Sequence, residues 1–313
     1  MTYSTLKNAI RFFMHDNYRF RCVIIDRLRH SGALNWLSDE LFIKLTYRVF
    51  FRKKINLKSP KTFNEKLNWL KLHYRNDSQV RIVDKYDVKE YIQERIGAQY
   101  VIKNYGVWSS FDQIDFSKLP NKFVLKCTHD SGSVVICKDK STFDKEKAKQ
   151  KLTNGLKSNL FYWGREWPYK AVKPRIIAEQ CLEDLSDNDL KDYKFFCFDG
   201  EVKCYKIDFG RFSDHRANYY SPNGELLDIG EVVCPPDRNH KLEIPNNMPE
   251  MIKLAEFLSK GFPFLRVDFY SVNNAIYFGE LTFYPASALS PFIKYESDLM
   301  LGQYLTLPKI DKK

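Results

Sequence analysis

The stretch FLRVDFYSVNNAIYFGELTFYP, residues 264 to 285, constrains the fold of this chain more than any other. Two runs rich in β-branched and aromatic residues flank Asn273-Asn274, and asparagine tolerates the positive φ angles of a tight turn, so the pattern predicts an antiparallel hairpin. The loop could hold an odd number of residues, such as residues 273 to 275, or only two residues. A loop of two residues would shift the pairing by one and reverse the faces of one strand.

The register of this hairpin decides what its two acids do. With a three-residue loop, Asp268 lies opposite Glu280 and Arg266 opposite Thr282, all on one face. Facing carboxylates repel each other unless a cation lies between them, and such oxygen ligands suit Mg²⁺ together with substrate phosphates. Rim acids salt-bridged to lysines are the alternative. The other face would be a core face made of Leu265, Val267, Phe269, Tyr277, Gly279, Leu281 and Phe283.

Cysteine usage and charge distribution restrict the class of protein. Seven cysteines among 313 residues form no C-x-x-C pair, which favours reduced thiols over a disulfide framework or a zinc site. Charged residues interrupt every apolar run near the N-terminus, so we expect neither a signal peptide nor a membrane-spanning helix. The chain is therefore interpreted as a cytoplasmic protein.

The formal net charge of +11 is concentrated near the N-terminus, where residues 1 to 54 contain eleven Lys/Arg and four Asp/Glu, a net charge of +7. Aromatic side chains are interleaved with these charges. Such a region could contact an anionic inner membrane surface or a polyanion. A helical extension with a solvated basic face is the simpler alternative. No nucleic-acid-binding module accompanies the region, so we do not expect nucleic acid as a partner.

Capping and turn signals divide the chain into parts. Residues 1–58 are predicted to be a basic helical region. Capping boxes at Thr62–Glu65 and Asp87–Glu90 each begin a helix within residues 59–117. From residue 118 onward the pattern changes to strands with interspersed helices, which predicts an α+β fold with mainly antiparallel sheets.

A second hairpin is predicted around Asp199-Gly200, the strongest tight-turn signal in the chain. A two-residue turn there pairs Phe198 with Glu201, Phe196 with Lys203 and Lys194 with Tyr205. Asp192 and Lys194 then lie on one face of the first strand.

The segment FVLKCTHDSGSVVICKD places Lys126 near the end of a strand, before a Ser/Gly loop and a return strand. A strand lysine can neutralise a phosphate, and Ser131, Gly132 and Ser133 can offer backbone N–H groups to its oxygens. A surface hairpin that happens to carry a lysine is the alternative interpretation.

Glu179, in RIIAEQCLED, is an acid within an apolar strand that should be buried. Its carboxylate could accept hydrogen bonds from an amino group or from ribose hydroxyls, or it could form a buried salt bridge. Lys194, in LKDYKFFCFDG, could direct a second ammonium group at the same phosphates. No P-loop or dinucleotide fingerprint is present.

The order of these features resembles the ATP-grasp superfamily. From about residue 60 to 305 the chain is similar to the TupA-like family of bacterial surface-polysaccharide gene clusters, named for teichuronopeptide biosynthesis. The resemblance is carried by KTFNEKLNWLK, VDKYDVKEY, YGVW, LPNKFVLKCTHDSG, DYKFFCFDGE and RVDFYSVNNAIYFGELTFYP. It implies an ATP-grasp domain over residues 118–308, with subdomains of about 118–184 and 185–308 that grip ATP, preceded by an N-terminal domain over 59–117.

The resemblance also implies roles for individual residues. Lys126 and Lys194 would bind ATP phosphates, with Asp192 beside them, and Ser131, Gly132 and Ser133 would close over them. Glu179 and the backbone around Cys181 and Leu182 would hold the adenosine. Arg266 would meet the γ-phosphate or the acyl phosphate. Asp268, Glu280 and Thr282 would bind Mg²⁺, with the Thr282 hydroxyl where most ATP-grasp enzymes have an asparagine.

By the same resemblance the expected activity is that of a carboxylate–amine ligase, which forms an amide through an acyl phosphate. The acceptor would be a uronic acid of a capsular or O-antigen type polysaccharide or its precursor, and the amine would be an amino acid or another amine. Arg211, His215 and Arg216 are candidate substrate contacts, with Arg216 the candidate catalytic group. A basic surface loop is the alternative for these three.

Two other classes of protein remain open. A metal-dependent glycosyltransferase of polysaccharide biosynthesis would use Asp268 with a nucleotide sugar, but the sequence has no convincing D-x-D motif, and this alternative leaves Lys126, Lys194 and Glu179 without a role. A saccharide-binding protein without activity would have no reason to keep the acids and lysines together.

Overall fold

The computed structural model describes residues 17–183, 190–210, 214–240 and 243–309. Its first elements are helices α1 (Asn17–His30) and α2 (Asp39–Phe51). They share a small apolar cluster made of Ile25, Leu34, Phe42 and Ile43. Helices in the basic N-terminal region are thus confirmed for these two ranges. Within the described residues, no helix is long and apolar enough to cross a membrane.

The three helices that follow are α3 (Phe63–His73), α4 (Ser78–Val83) and α5 (Asp87–Arg95). The capping box that begins α3 at Thr62 is confirmed. The capping box predicted at Asp87 is wrong, although the helix begins there. The buried Asp84 carboxylate accepts from the backbone N–H groups of Tyr86 at 2.7 Å and Asp87 at 3.0 Å. Asp84, three residues before Asp87, therefore accepts hydrogen bonds from the free backbone N–H groups at the N-terminus of this helix.

The first sheet has four antiparallel strands, β1 (Asn104–Trp108), β2 (Phe123–Cys127), β3 (Val134–Cys137) and β4 (Ile176–Gln180). Their spatial order is β1-β4-β2-β3. Helix α6 (Lys145–Leu156) contributes Ala148 and Leu152 to the apolar side of this sheet. Helix α7 (Leu160–Gly164) lies between α6 and β4 along the chain. Strand β1 comes from the part of the chain before residue 118, so this sheet crosses the expected boundary at that residue.

The second sheet has five antiparallel strands, β5 (Asp192–Phe198), β6 (Glu201–Phe209), β7 (Arg216–Tyr220), β8 (Phe264–Val272) and β9 (Ala275–Thr282). Their order is β7-β6-β5-β8-β9. Helix α8 (Met248–Ser259) packs on one face, and helix α9 (Tyr295–Tyr304) packs against α3. Two antiparallel sheets with helices on them confirm the α+β class.

The β8–β9 hairpin has a two-residue loop, which is the alternative that by itself would place the two acids on opposite faces. Asn273 and Asn274 both have positive φ, at 49° and 64°, and Val272 pairs with Ala275. A bulge at Gly279 then shifts the register by one. The shift restores the pairing of Asp268 with Glu280. This predicted pair is therefore confirmed, but a bulge produces it and not the length of the loop.

A second bulge changes the predicted register of the β5–β6 hairpin. The tight turn is confirmed by the positive φ of Asp199 and Gly200, and Phe198 pairs with Glu201 as predicted. The other two predicted pairs are wrong, because Lys203 is the extra residue of a bulge. Phe196 faces Cys204, and Lys194 faces Lys206.

Burial of apolar side chains explains both bulges. In β9 the buried residues before Gly279 are Ile276 and Phe278, whereas after it they are Leu281 and, directly beyond the strand, Phe283. The apolar pattern thus changes from even to odd positions, and only an extra residue keeps all four on the core face. The prediction that Tyr277 and Gly279 lie on the core face is wrong for the same reason, and both are only partly buried.

Candidate functional site

One face of the second sheet carries a cluster of polar side chains, which we call the charged face. Cross-strand pairs place them in neighbouring rows: Lys194 lies opposite both Lys206 and Asp268, and Asp268 lies opposite Glu280. Without the two bulges, β6 and β9 would turn their polar residues into the core. The charged face consists of Asp192, Lys194, Lys206, Asp208, Arg266, Asp268, Glu280 and Thr282.

Arg266 organises one half of the charged face. Its guanidinium group donates two hydrogen bonds of 2.7 Å to the two carboxylate oxygens of Asp268. The same Nη2 atom donates to Glu280 Oε1 at 2.5 Å and to Thr282 Oγ1 at 3.0 Å. Three oxygens from three residues therefore converge on one cationic nitrogen. The acids are paired to an arginine, and the alternative of lysine-paired rim acids is wrong for this pair.

The two acids differ in their protonation behaviour. Burial raises the pKa of Asp268 to about 7, although Arg266 opposes the shift. Burial would also raise the pKa of Glu280, but the charges of Arg266, Lys85 and Lys194 outweigh it and lower this pKa to about 2. One acid thus holds a proton easily and its neighbour does not, as expected when a buried acid and a cation-rich acid lie side by side.

Lys194 organises the other half of the charged face. Its ammonium group contacts Asp192 Oδ2 at 2.5 Å and also the carboxylate of Asp208. Lys206 lies 3.6 Å from Asp208 and 3.0 Å from Glu231. Lysines and acids therefore alternate across the strands, and each buried charge has a partner of opposite sign.

The first sheet presents a smaller cluster of opposite charges. Glu179 is 4% exposed and receives two ammonium groups, Lys126 Nζ at 2.5 Å and Lys89 Nζ at 2.6 Å. Although burial disfavours its charged form, the two lysines hold the pKa of Glu179 below its ordinary value. A buried salt bridge, one of the two interpretations of Glu179, is thus the arrangement found, and it lies next to the predicted phosphate lysine.

Lys85 connects the two clusters. Its ammonium group donates to the carbonyl oxygen of Asp130 at 2.5 Å, in the loop after β2. Burial lowers the pKa of Lys85, and the charges that act on it next are those of Glu280 from the second sheet and Lys126 from the first. Lys85 is therefore close enough to both the charged face and the first-sheet cluster for their charges to act on it.

The loop between β2 and β3 contains a serine side chain that is held by a hydrogen bond and a glycine that has free space around it. The Ser133 hydroxyl donates to the Asp130 carboxylate. Ser131 and Gly132 are exposed. Gly132 has a φ of 104°, and a Cβ atom there would contact nothing within 4 Å. Cys181 and Leu182, at the end of β4, are both partly buried.

Arg216 is the predicted catalytic residue that the structure does not bring to the charged face. It begins the edge strand β7 and pairs with Asp214 at 2.9 Å. Its neighbour His215 lies closer to the cluster, with Nε2 3.4 Å from Asp208 Oδ1. Arg211, the third candidate, lies outside the described residues.

Among the residues that the structure describes, two sets of side chains could hold a metal ion. The three oxygens around Arg266 Nη2 are hard carboxylate and hydroxyl ligands that already converge on one positive charge, so this donor set fits Mg²⁺. Asp208, His215 and Cys234 also place possible ligand atoms within 4.8 Å of one another. There, however, Lys194 and Lys206 already contact Asp208, and burial raises the pKa of the Cys234 thiol to about 11.

Glu166 is a buried acid beside the site that sequence reasoning missed. Its Oε1 accepts from the Ser287 hydroxyl at 2.5 Å. Burial raises the pKa of Glu166, Lys71 opposes the shift, and the charges of Glu280 and Arg266 also act on this carboxylate. The only signal in the sequence was an acid among aromatic residues in GREWPYK.

The segment after β9 is held in an unusual backbone conformation. Ala286, Ser287 and Ala288 all have positive φ, between 48° and 53°, a region that disfavours residues with a Cβ atom. Helix α3 fixes it: Lys71 Nζ donates to Ser287 O at 2.5 Å, and Asn68 Nδ2 donates to Ala288 O at 2.9 Å. Strain of this kind clusters at functional sites.

Lysines, an arginine and paired acids on two antiparallel sheets are a set of side chains that suits a phosphorylated ligand together with a metal ion. The sequence matches the family described as TupA-like ATPgrasp over residues 65–306. This match covers more than half of the chain, so the chain belongs to the TupA-like ATP-grasp family. No curated protein matches the sequence.

Solved structures show more distant likeness. A D-alanine–D-alanine ligase from Helicobacter pylori is 17% identical, with 78% of this chain and 69% of that chain covered and a TM-score of 0.39. An ATP-grasp RimK domain protein from Sphaerobacter thermophilus is 10% identical, with 74% and 70% covered and a TM-score of 0.41. A D-alanine–D-alanine ligase from Bacillus anthracis in complex with ATP is 14% identical, with 71% and 58% covered and a TM-score of 0.38.

Proposed function

We propose that this protein is an ATP-dependent carboxylate–amine ligase that joins an amino acid or another amine to a uronic acid. The uronic acid would belong to a capsular or O-antigen type surface polysaccharide or its precursor. The observation that carries the proposal is the convergence of Asp268, Glu280 and Thr282 on one cationic nitrogen, beside lysines from both sheets. Family membership supports the use of ATP.

The nucleotide would lie between the two clusters. Lys126 would exchange its contact with Glu179, and Lys194 its contact with Asp208, for phosphate oxygens, which are stronger acceptors because they carry more charge. Asp192 would keep Lys194 in place. Glu179 would accept hydrogen bonds from the adenosine, together with the backbone at Cys181 and Leu182.

Mg²⁺ would be held by Asp268, Glu280 and Thr282, and when bound it would neutralise charge between the β- and γ-phosphates. Arg266 now contacts those same oxygens. Its guanidinium group would turn toward the phosphate that is transferred and stabilise the charge that develops there.

The reaction would take two steps. A carboxylate oxygen of the acceptor forms a bond to the γ-phosphorus while the bond to ADP breaks. The amine nitrogen then forms a bond to the acyl carbon, phosphate leaves with the electron pair of the C–O bond, and the nitrogen loses a proton. Closure of the loop Ser131–Ser133 would exclude water and protect the acyl phosphate from hydrolysis. Arg216 would contact the substrate from the edge strand.

The acceptor could be linked to a lipid, with the basic residues 1–54 in contact with the inner face of the membrane. Their net charge of +7 supports this part of the proposal.

The decisive experiment is ADP release with ATP, Mg²⁺, a uronic-acid glycan and mixed amino acids. We expect Asp268→Asn and Glu280→Gln to abolish ADP release while circular dichroism shows that the protein remains folded. Asp199→Asn and Glu201→Gln are matched controls, because both acids are exposed in the turn of the same sheet. Near-normal activity of Asp268→Asn or Glu280→Gln would refute the metal assignment.

The same assay separates the ligase from a glycosyltransferase. Turnover of a UDP-sugar without ATP would favour the transferase. ADP release that depends on both a carboxylate and an amine, with an amide product seen by mass spectrometry, would support the ligase.

A further inference from the structure

Helix α1 carries an apolar stripe that faces away from the protein. Phe20, Val23, Ile24 and Leu28 are between 37% and 47% exposed. Their spacing of three and four residues places them on one side of the helix. Another side of the helix already packs against the protein, because Ile25 is 5% exposed and belongs to the apolar cluster shared with α2. The outer stripe is therefore a second apolar surface, beyond what the fold of the described residues uses.

Other exposed apolar residues follow in the turn after α1 and on α2. Trp36, in the turn after α1, is 80% exposed, and on α2 Leu41 and Leu45 are 55% and 39% exposed. Single exposed apolar residues are ordinary, but a stripe on a helix with an exposed tryptophan beside it indicates a binding surface. Tryptophan is enriched where a protein meets the headgroup level of a bilayer.

The charge around the stripe points to the chemistry of the partner. Arg19, Arg21 and Arg27 are exposed on α1. Neither Arg21 nor Arg27 forms an ion pair with any described residue. The single acid of the helix is Asp26, and Arg29 neutralises it at 2.6 Å. The surface is thus apolar and cationic with no uncompensated acid on α1, which is complementary to anionic lipid headgroups.

We infer that α1, through Phe20, Val23, Ile24 and Leu28, docks this protein in the plane of an anionic lipid surface. The apolar stripe enters the boundary between headgroups and acyl chains, and the arginines contact lipid phosphates. This inference gives the proposed membrane contact a defined helix and face. Lipid binding is measured apart from ADP release, so either part can fail alone.

The test is cosedimentation of the full chain with vesicles, first phosphatidylglycerol mixed with phosphatidylcholine and then phosphatidylcholine alone. We expect binding to the mixed vesicles only, weakened by high salt because surface charges are screened. The double variant Ile24→Glu with Leu28→Glu should bind about tenfold more weakly, since it places acids in the stripe. Arg21→Glu with Arg27→Glu should lose on the order of tenfold as well.

The matched control is Val233→Glu with Phe257→Glu. It changes the charge equally at two other exposed apolar residues, which are 76% and 41% exposed. The control should bind vesicles as the wild type does.

Equal binding to both vesicle types, or equal loss in the control, would overturn the inference. So would a wild-type dimer that becomes a monomer in Ile24→Glu with Leu28→Glu, which would assign the stripe to a second copy. Absence of vesicle binding by the full chain would overturn it too.

Discussion

Arg266 neutralises the acids of the charged face. Asp268 is 1% exposed and receives both of its short hydrogen bonds from this arginine. We expect Arg266→Met to lower the free energy of unfolding by about 3–5 kcal/mol, because it leaves a buried carboxylate without its partner. Urea unfolding followed by tryptophan fluorescence would measure the change.

Two comparisons test the cause of this loss. Combining Arg266→Met with Asp268→Asn should recover part of the stability, since the unpaired charge is then removed. Arg81→Met is the surface control, because Arg81 pairs with Glu90 at 2.9 Å on the exposed side of two helices, and such pairs contribute at most about 1 kcal/mol. Equal losses in Arg266→Met and Arg81→Met would contradict the assignment.

Lys71 gives the protein a pH dependence of stability. Burial lowers its pKa from the ordinary value of 10.5 to about 7, although Glu166 opposes the shift. The unfolded chain therefore keeps this proton between those values while the folded protein has released it. The free energy of unfolding should rise with pH across that window, by up to about 1.4 kcal/mol per pH unit. Lys71→Met should lack this rise, and parallel profiles of wild type and variant between about pH 7 and 9.5 would contradict the prediction.

At the residue scale, the sequence indicated which side chains matter where they break a pattern. Asp268 and Glu280 stand out because they are acids in apolar strands. Lys85 does not, since it occurs among other charges, and Glu166 gives only the weak signal of an acid among aromatic residues. Only the folded chain brings Lys85 close enough to Glu280 for that charge to act on it.

At the scale of secondary-structure elements, one extra residue changes the register of each hairpin. The turn chemistry of Asn273-Asn274 and Asp199-Gly200 is local, so the sequence predicts both turns correctly. The bulges at Lys203 and Gly279 are not local, because they satisfy burial on both faces of the sheet at once. The change of the apolar pattern from even to odd positions in β9 was the signal that could have revealed one of them.

The loop after β2 provides a prediction at the same scale. Gly132 has a φ of 104°, which residues with a Cβ atom adopt only with strain. We expect Gly132→Ala to raise the KM for ATP several-fold, because the loop no longer closes readily over the phosphates, with a loss of about 1 kcal/mol in stability.

Gly261→Ala is the matched control for this variant. Gly261 has a φ of 85°, and a Cβ atom added there, as at Gly132, would have no other atom within 4 Å, but Gly261 lies at the end of α8. It should show a similar loss of stability with an unchanged KM. A normal KM in Gly132→Ala would exclude the loop from nucleotide binding.

At the scale of the whole molecule, a nucleotide that contacts both sheets should stabilise the protein as a unit. ATP with Mg²⁺ at about 100 times its Kd should add about 2.7 kcal/mol to the free energy of unfolding, seen as a higher Tm. We expect Lys126→Ala and Lys194→Ala each to reduce this shift at the same ATP concentration, although the two lysines lie on different sheets. Lys138→Ala, an exposed lysine beyond β3, should leave the shift unchanged. A full shift in Lys126→Ala or Lys194→Ala would place ATP elsewhere.

The α+β class, the tight turns, the capping of α3 and the family could all be predicted from the amino-acid sequence, because they depend on local propensity and on the order of motifs along the chain. Tertiary structure decided the register beyond each bulge, the pairing of Arg266 with three oxygens, and the position of Lys85 between the sheets. These depend on which surfaces must be buried against each other, and two strands far apart in sequence meet that requirement only in the folded chain.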